Sequence, residues 1–201
     1  EKAIEVQKNL NAFRAAGIAF DYYTCSVTDR EALARVLDQV RRSGPITGVL
    51  HGAGIERSGK FEKKSPELVA ATLGAKVTGG YNLMTLTQSD PIRHFVGFGS
   101  ISGRLGSNGQ ADYCAASDML AKLSGWYRAR RPDVRSITFH WHPWDEVGMA
   151  YRPVTVHGHD WKPACMTCTT LPTLENGLAV AEPGADGQQG VRVTYEFPDW
   201  F

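Results

Sequence analysis

Ser100 and Tyr113 stand thirteen residues apart, at either end of Ser100-Ile-Ser-Gly-Arg-Leu-Gly-Ser-Asn-Gly-Gln-Ala-Asp-Tyr113. The apolar run Phe95–Phe98 before this stretch reads as a buried strand, and the residues after Gln110 read as a helix. A serine at the carboxyl end of a strand and a tyrosine on the next helix can converge in the crevice where open α/β sheets bind ligands. A phenol placed there can act as a proton donor if a cation lowers its pKa from the ordinary ~10. A serine hydroxyl beside it can hydrogen-bond the oxygen that receives the proton. A lone tyrosine on a helix is mostly a packing residue, so the pair gains meaning only from its spacing and from a cation nearby.

The flanking pattern says what must position these groups. Residues 1 to about 16 look helical, with Ile4, Leu10 and Phe13 near the helix period and Gly17 as a stop. Ile18–Cys25 alternates and predicts a strand. Thr28-Asp-Arg-Glu31 has the capping-box form, opening a helix with Leu33, Val36, Leu37 and Val40 on one face and an end near Gly44. Pro45–His51 predicts a strand running into Gly52-Ala-Gly54. Ser65-Pro66-Glu67 starts a helix that should run to about Thr87. Ile92–Gly99 and Ser136–Trp141 predict strands, separated by a long helix over Gln110–Arg131. Asp145–Pro172 is loop-rich and long enough to be a lid over a site. A short helix near Leu174–Val180 and a strand over Val191–Phe197 close the chain. Strands alternating with helices imply an α/β, Rossmann-like doubly wound parallel sheet, and residues 1–201 are long enough for one domain, or most of one.

Composition narrows the function classes. The formal net charge is +1, with no basic footprint for nucleic acid or anionic membrane. No apolar run reaches the roughly 18 residues of a membrane span, and the first residues are no signal peptide. Four cysteines suit reduced thiols in a cytoplasmic setting better than a disulfide scaffold. Cys165-Met-Thr-Cys168 lacks a second pair, although His157 and His159 lie near it. His140 and His142 share a predicted strand face but want a third metal ligand, so no metal is expected. Asp145 and Glu146 are adjacent and face different ways, so they take no catalytic role.

Four stretches, in order, resemble the ketoreductase domains of modular polyketide synthases and polyunsaturated fatty-acid synthases, within the short-chain dehydrogenase/reductase superfamily. Gly48-Val-Leu-His-Gly-Ala-Gly54 is similar to the family's strand-end H-A-A-G, and Leu73-Gly-Ala-Lys76-Val-Thr-Gly79 to its lysine-bearing helix. Ser100 and Tyr113, followed by Ala115-Ala-Ser117, are similar to its serine and tyrosine, and Trp141-His-Pro-Trp144 to its tryptophan pair. The resemblance implies NADPH-dependent reduction of a β-ketoacyl thioester on an acyl carrier protein, beside other domains of one synthase. It assigns catalysis to Lys76, Ser100, Tyr113 and the Ser117 position, where the family usually has asparagine. It assigns cofactor contacts to Ser26, Val27, His51, Gly52, Ala53, Gly54, Pro143 and Trp144, with Ser26 where an aspartate is usual. The more widespread superfamily lysine, four residues after the tyrosine, is replaced here by Ser117, and Lys76 supplies the cation instead.

The dinucleotide fingerprint G-x-G-x-x-G occurs nowhere in the chain. The resemblance places residue 1 in the helix after the family's second strand. The first two strands and the glycine-rich loop are therefore expected before Glu1, in a larger polypeptide. Glu56-Arg57-Ser58 replaces the acidic motif of one stereochemical branch, and Leu105 replaces the tryptophan of the other, so the hydroxyl configuration is left open. Two other readings stay open at this point: a stand-alone reductase of small carbonyls, and a non-catalytic structural remnant.

Overall fold

The computed structural model describes residues 2–142, 154–156, 159–161, 180–181 and 191–192. Three parallel strands form the central sheet, β1 (Gly48–His51), β2 (His94–Phe98) and β3 (Arg135–Phe139), in that spatial order. Gly48 aligns with His94, and His94 with Arg135, so the three strands end together at their carboxyl edge. Such an edge is where a parallel sheet presents loops to a ligand.

The helices follow from local signals. Helix α1 spans Lys2–Ala15 and α2 spans Arg30–Ser43. The cap of α2 is Asp29, one residue beyond the predicted Thr28, because its carboxylate accepts the Ala32 N–H at 2.9 Å. Ser65 caps α3 (Pro66–Leu73) by accepting from the Leu68 N–H, with Pro66 in the first turn as expected. The predicted single helix to Thr87 is interrupted: a π-turn at Gly74–Thr78 separates α3 from α4 (Gly79–Leu86). The glycine-rich stretch holds a short helix, α5 (Ser102–Leu105), before α6 (Ala111–Arg130). Tyr127 of α6 meets Phe95 of β2 edge-on at 5.7 Å, within a core of Met84, Ile92 and Val134.

Ile18–Cys25 is not a strand. Its alternation suits a ladder, but among the described residues no strand pairs with it, and Ile18 and Tyr22 stay exposed. Two antiparallel pairs lie beyond β3: β4 (Val154–Val156) with β5 (His159–Trp161), and β6 (Val180–Ala181) with β7 (Val191–Arg192). The segment expected to be a loop-rich lid thus contains a strand pair. Val180 is extended rather than the end of a helix, because it pairs with Arg192. Pro143, Trp144, Cys165, Cys168, Leu174 and the rest of the expected lid lie outside the described residues.

Candidate active site

Three elements deliver three side chains to the carboxyl edge of the sheet. Ser100 follows β2 and is buried in a tight turn. Its carbonyl accepts the Gly103 N–H at 3.0 Å, and its hydroxyl accepts the Ser102 N–H at 3.2 Å. Gly99 must be glycine there: a Cβ would lie 2.8 Å from Thr138 Cγ2 and 2.9 Å from the Phe139 carbonyl. The close approach lets Gly99 N–H bond the Phe139 carbonyl at 2.8 Å and lets Ile101 N–H bond that of Trp141 at 3.0 Å. His140 adds a brace that its sequence context does not signal. Its Nε2 accepts from Arg104 Nε at 3.2 Å, so its Nδ1 carries the proton and donates to the Ser100 carbonyl at 3.1 Å. His140 therefore works as a loop anchor just past β3, and not as half of a metal pair on a strand. Among the described residues no cluster of histidine, cysteine or carboxylate side chains could hold a metal ion.

Tyr113 enters from the first turn of α6 and is only 9% exposed. Lys76 enters from the π-turn and is 3% exposed. Its Nζ donates to the Phe98 carbonyl at 2.6 Å and lies 5.1 Å from the centroid of the Tyr113 ring. Burial lowers the Lys76 amine to about 8. Burial also pushes the Tyr113 phenol up, the Glu56 carboxylate adds to the rise, and a hydrogen bond with the Ser100 side chain opposes it. Cation, phenol and hydroxyl thus meet across elements separated in the chain. A buried phenol beside a hydroxyl and an amine can hand a proton to a bound oxygen; in the free site burial, not the amine, sets the direction of its pKa.

Asp112, which no sequence motif singles out, fixes the start of α6. Its Oδ1 accepts from Lys64 Nζ at 2.5 Å and from the Tyr113 N–H at 3.0 Å, and both side chains of the ion pair are buried. Burial pushes the Asp112 carboxyl up, but the Lys64 ammonium and the Tyr113 N–H outweigh it and hold it low. Breaking such a pair leaves a buried charge uncompensated. Asp112→Asn is expected to cost about 3 kcal/mol in a urea unfolding titration, with the Lys64→Met, Asp112→Leu double variant recovering most of it. A double variant as unstable as the single one would show that the charges are not the cause.

The other predicted residues fall around this centre. Ser117 lies one turn below Tyr113 on α6 and is fully buried against Gly103; its hydroxyl has no hydrogen-bond partner among the described residues. Ser26, Val27 and Thr28 line a cavity of about 490 Å³ with Ile55, Gly74 and Thr78. Ser26 Oγ is also 2.8 Å from Thr28 Oγ1, within the turn that enters α2. Gly52, Ala53 and Gly54 leave β1 as an open loop, and a Cβ at Gly52 would meet nothing within 4 Å. The His51 side chain turns inward and is 1% exposed, with Nε2 2.8 Å from the Lys76 carbonyl.

The model of one family, the KR domain, matches residues 1–146 of this chain. This chain belongs to the KR domain family. The solved ketoreductase domain of the bacillaene assembly line superposes with a TM-score of 0.67 at 30% identity, covering 71% of this chain and 36% of that one. The ketoreductase from the first module of phoslactomycin biosynthesis in Streptomyces sp. HK803 gives 0.66 at 32%, covering 76% and 34%. Among curated proteins, mycoketide-CoA synthase of Mycobacterium tuberculosis is 30% identical over 84% of this chain and 4% of its own length. A polyunsaturated fatty acid synthase polypeptide of Thraustochytrium sp. is 32% identical over 71% of this chain and 5% of its own. This KR domain chain therefore spans about a third of the solved ketoreductases and a twentieth or less of these synthases. A Rossmann-like, short-chain dehydrogenase/reductase fold and an oxidoreductase family follow. Among the described residues no helix is long and apolar enough to cross a membrane.

Proposed function

We propose that this KR domain reduces the β-keto group of an acyl thioester held on an acyl carrier protein, with NADPH as reductant, inside a multidomain polyketide or fatty-acid synthase. The observation that carries the reading is the convergence of Lys76, Ser100 and Tyr113 at one sheet edge. NADPH, when bound, supplies the hydride for the carbonyl carbon. Tyr113 Oη gives its proton to the carbonyl oxygen, so that ketone becomes alcohol and the phenol becomes phenolate. Ser100 Oγ donates a second hydrogen bond to that oxygen and holds its developing charge. The Lys76 ammonium, beside the ring, stabilises the phenolate left behind. Ser117 stands where the family's asparagine stands; its shorter side chain leaves a hydroxyl with spare hydrogen-bonding capacity near the base of the site.

The cavity fits one part of the cofactor. Its walls are small side chains, Ala70, Ala71, Gly74 and Ala75, facing Ser26, Val27 and Ile55, which suits a flat base with few polar contacts. Ser26 and Val27 would hold that base. Gly52, Ala53 and Gly54 would let the cofactor pass close to the strand end. His51, Pro143 and Trp144 complete the set that the family implies, although the His51 side chain itself faces the core.

NADPH absorbance, followed with a β-ketoacyl thioester and the native enzyme at its full natural length, tests the proposal. Turnover with a carrier-bound thioester is expected. Turnover of small free ketones only would favour the stand-alone reductase, and no turnover of either would favour a structural remnant.

A further inference from the structure

We propose that His51 is a positioning residue for Lys76, holding the carbonyl of the π-turn that carries the lysine and so setting where the ammonium reaches. The kinetic part of this inference rests on the reductase reading above; its structural part does not.

Ser100 and Tyr113 belong to one strand–helix unit, but Lys76 arrives from another helix and must be fixed independently. The backbone there is a π-turn, a widened turn that disturbs the regular i→i−4 ladder. The Lys76 carbonyl, in the middle of that turn, is 2.8 Å from His51 Nε2. A carbonyl only accepts, so Nε2 carries the proton. His51 is the last residue of β1 and is nearly inaccessible. Two glycines make room for its ring. A Cβ on Gly79 would stand 3.2 Å from His51 Cε1, and one on Gly80 would stand 3.3 Å from Cδ2.

The hold is two-sided. His51, at the end of β1, takes the backbone of the turn, and the Phe98 carbonyl, at the end of neighbouring β2, takes the ammonium. The Tyr113 ring faces the ammonium from α6, and Glu56 acts on Tyr113 from the loop after β1. Burial keeps the imidazole below its ordinary pKa, so near neutral pH the ring adds no charge to repel Lys76. A loosened turn would let water reach the amine and move it from the tyrosine.

Two variants of the native enzyme separate the possibilities. His51→Gln keeps an N–H at about the reach of Nε2, and His51→Leu fills the space without one. His51→Leu is expected to lower kcat about tenfold with KM nearly unchanged, the cost of one lost hydrogen bond. It is also expected to move the Lys76 titration, read by 15N NMR of Nζ, upward by about one pH unit as the amine gains water. His51→Gln is expected to restore both. An unmoved Lys76 titration in His51→Leu overturns the inference, as does a His51→Gln enzyme that behaves like His51→Leu. In the unaltered protein the imidazole should be the Nε2–H tautomer with a slowly exchanging proton, and an Nδ1–H tautomer refutes the inference without any variant. If the parent reduces no thioester, the reductase reading falls, and the titration and the tautomer alone decide the role of His51.

Discussion

Tyr113→Phe is expected to lower kcat for β-ketoacyl thioester reduction by about 10³-fold, within the range that general acid catalysis supplies. The change removes one oxygen and keeps the ring. That ring packs beside Lys76 at 5.1 Å and is almost wholly buried, so the cation keeps its aromatic neighbour and α6 keeps its contacts. What is lost is the proton and the hydroxyl that meets the Ser100 side chain. KM should stay within about twofold, because the missing bond strengthens only as charge develops on the substrate oxygen. NADPH oxidation at saturating thioester reads the first effect, and a urea titration confirms that the fold survives. A kcat within about threefold of the parent would remove Tyr113 from the reaction.

Lys76→Met should move activity and stability in opposite directions. Activity should fall by about the same 10³-fold, since the ammonium beside the ring that would stabilise the phenolate is gone. Stability at pH 7 should rise. The amine falls from 10.5 to about 8 on folding, so below pH 8 burial of its charge costs about 3 kcal/mol. The Phe98 carbonyl loses a donor in the variant, which takes back about 1 kcal/mol. The net gain should be near 2 kcal/mol. The sign with pH follows from proton counting. Between pH 8 and 10.5 the unfolded chain binds the proton that the folded chain has lost, so the parent gains stability as pH rises through that window. The Met variant should lack that gain. In the parent, the same deprotonation should pull kcat/KM down above about pH 8. A Met variant less stable than the parent at pH 7 would show that the lysine stabilises the fold as a charge.

How much could be read from the chain differs by element. The start of α3 was legible because Ser65 and Pro66 act locally: one accepts a specific N–H, and the other pre-sets φ. Strand β2 was legible from its apolar run Phe95–Phe98, and β3 from the strand-forming Ile137, Thr138 and Phe139, because neither signal needs knowledge of a partner. Ile18–Cys25 misled for the same reason. Its alternation is a local property, whereas a strand exists only with a neighbour, and none pairs with it among the described residues. The π-turn left no local mark at all, since Gly74–Thr78 differs from an ordinary helix only in which carbonyl finds which donor.

The nearness of Ser100 and Tyr113 was legible in the sequence alone, because thirteen residues of turn and helix start carry them both and the intervening glycines permit the tight path between them. Lys76 was legible only through family likeness, since twenty-four residues or more separate it from either partner and periodicity says nothing about such distances. Tertiary structure alone decided the braces. Asp112 gains its meaning from Lys64, His140 from the Ser100 carbonyl, and His51 from the Lys76 carbonyl. Each is a buried or partly buried polar group with a bond to a distant partner, and the cost of leaving such a group unpaired is set by burial, which no stretch of sequence contains.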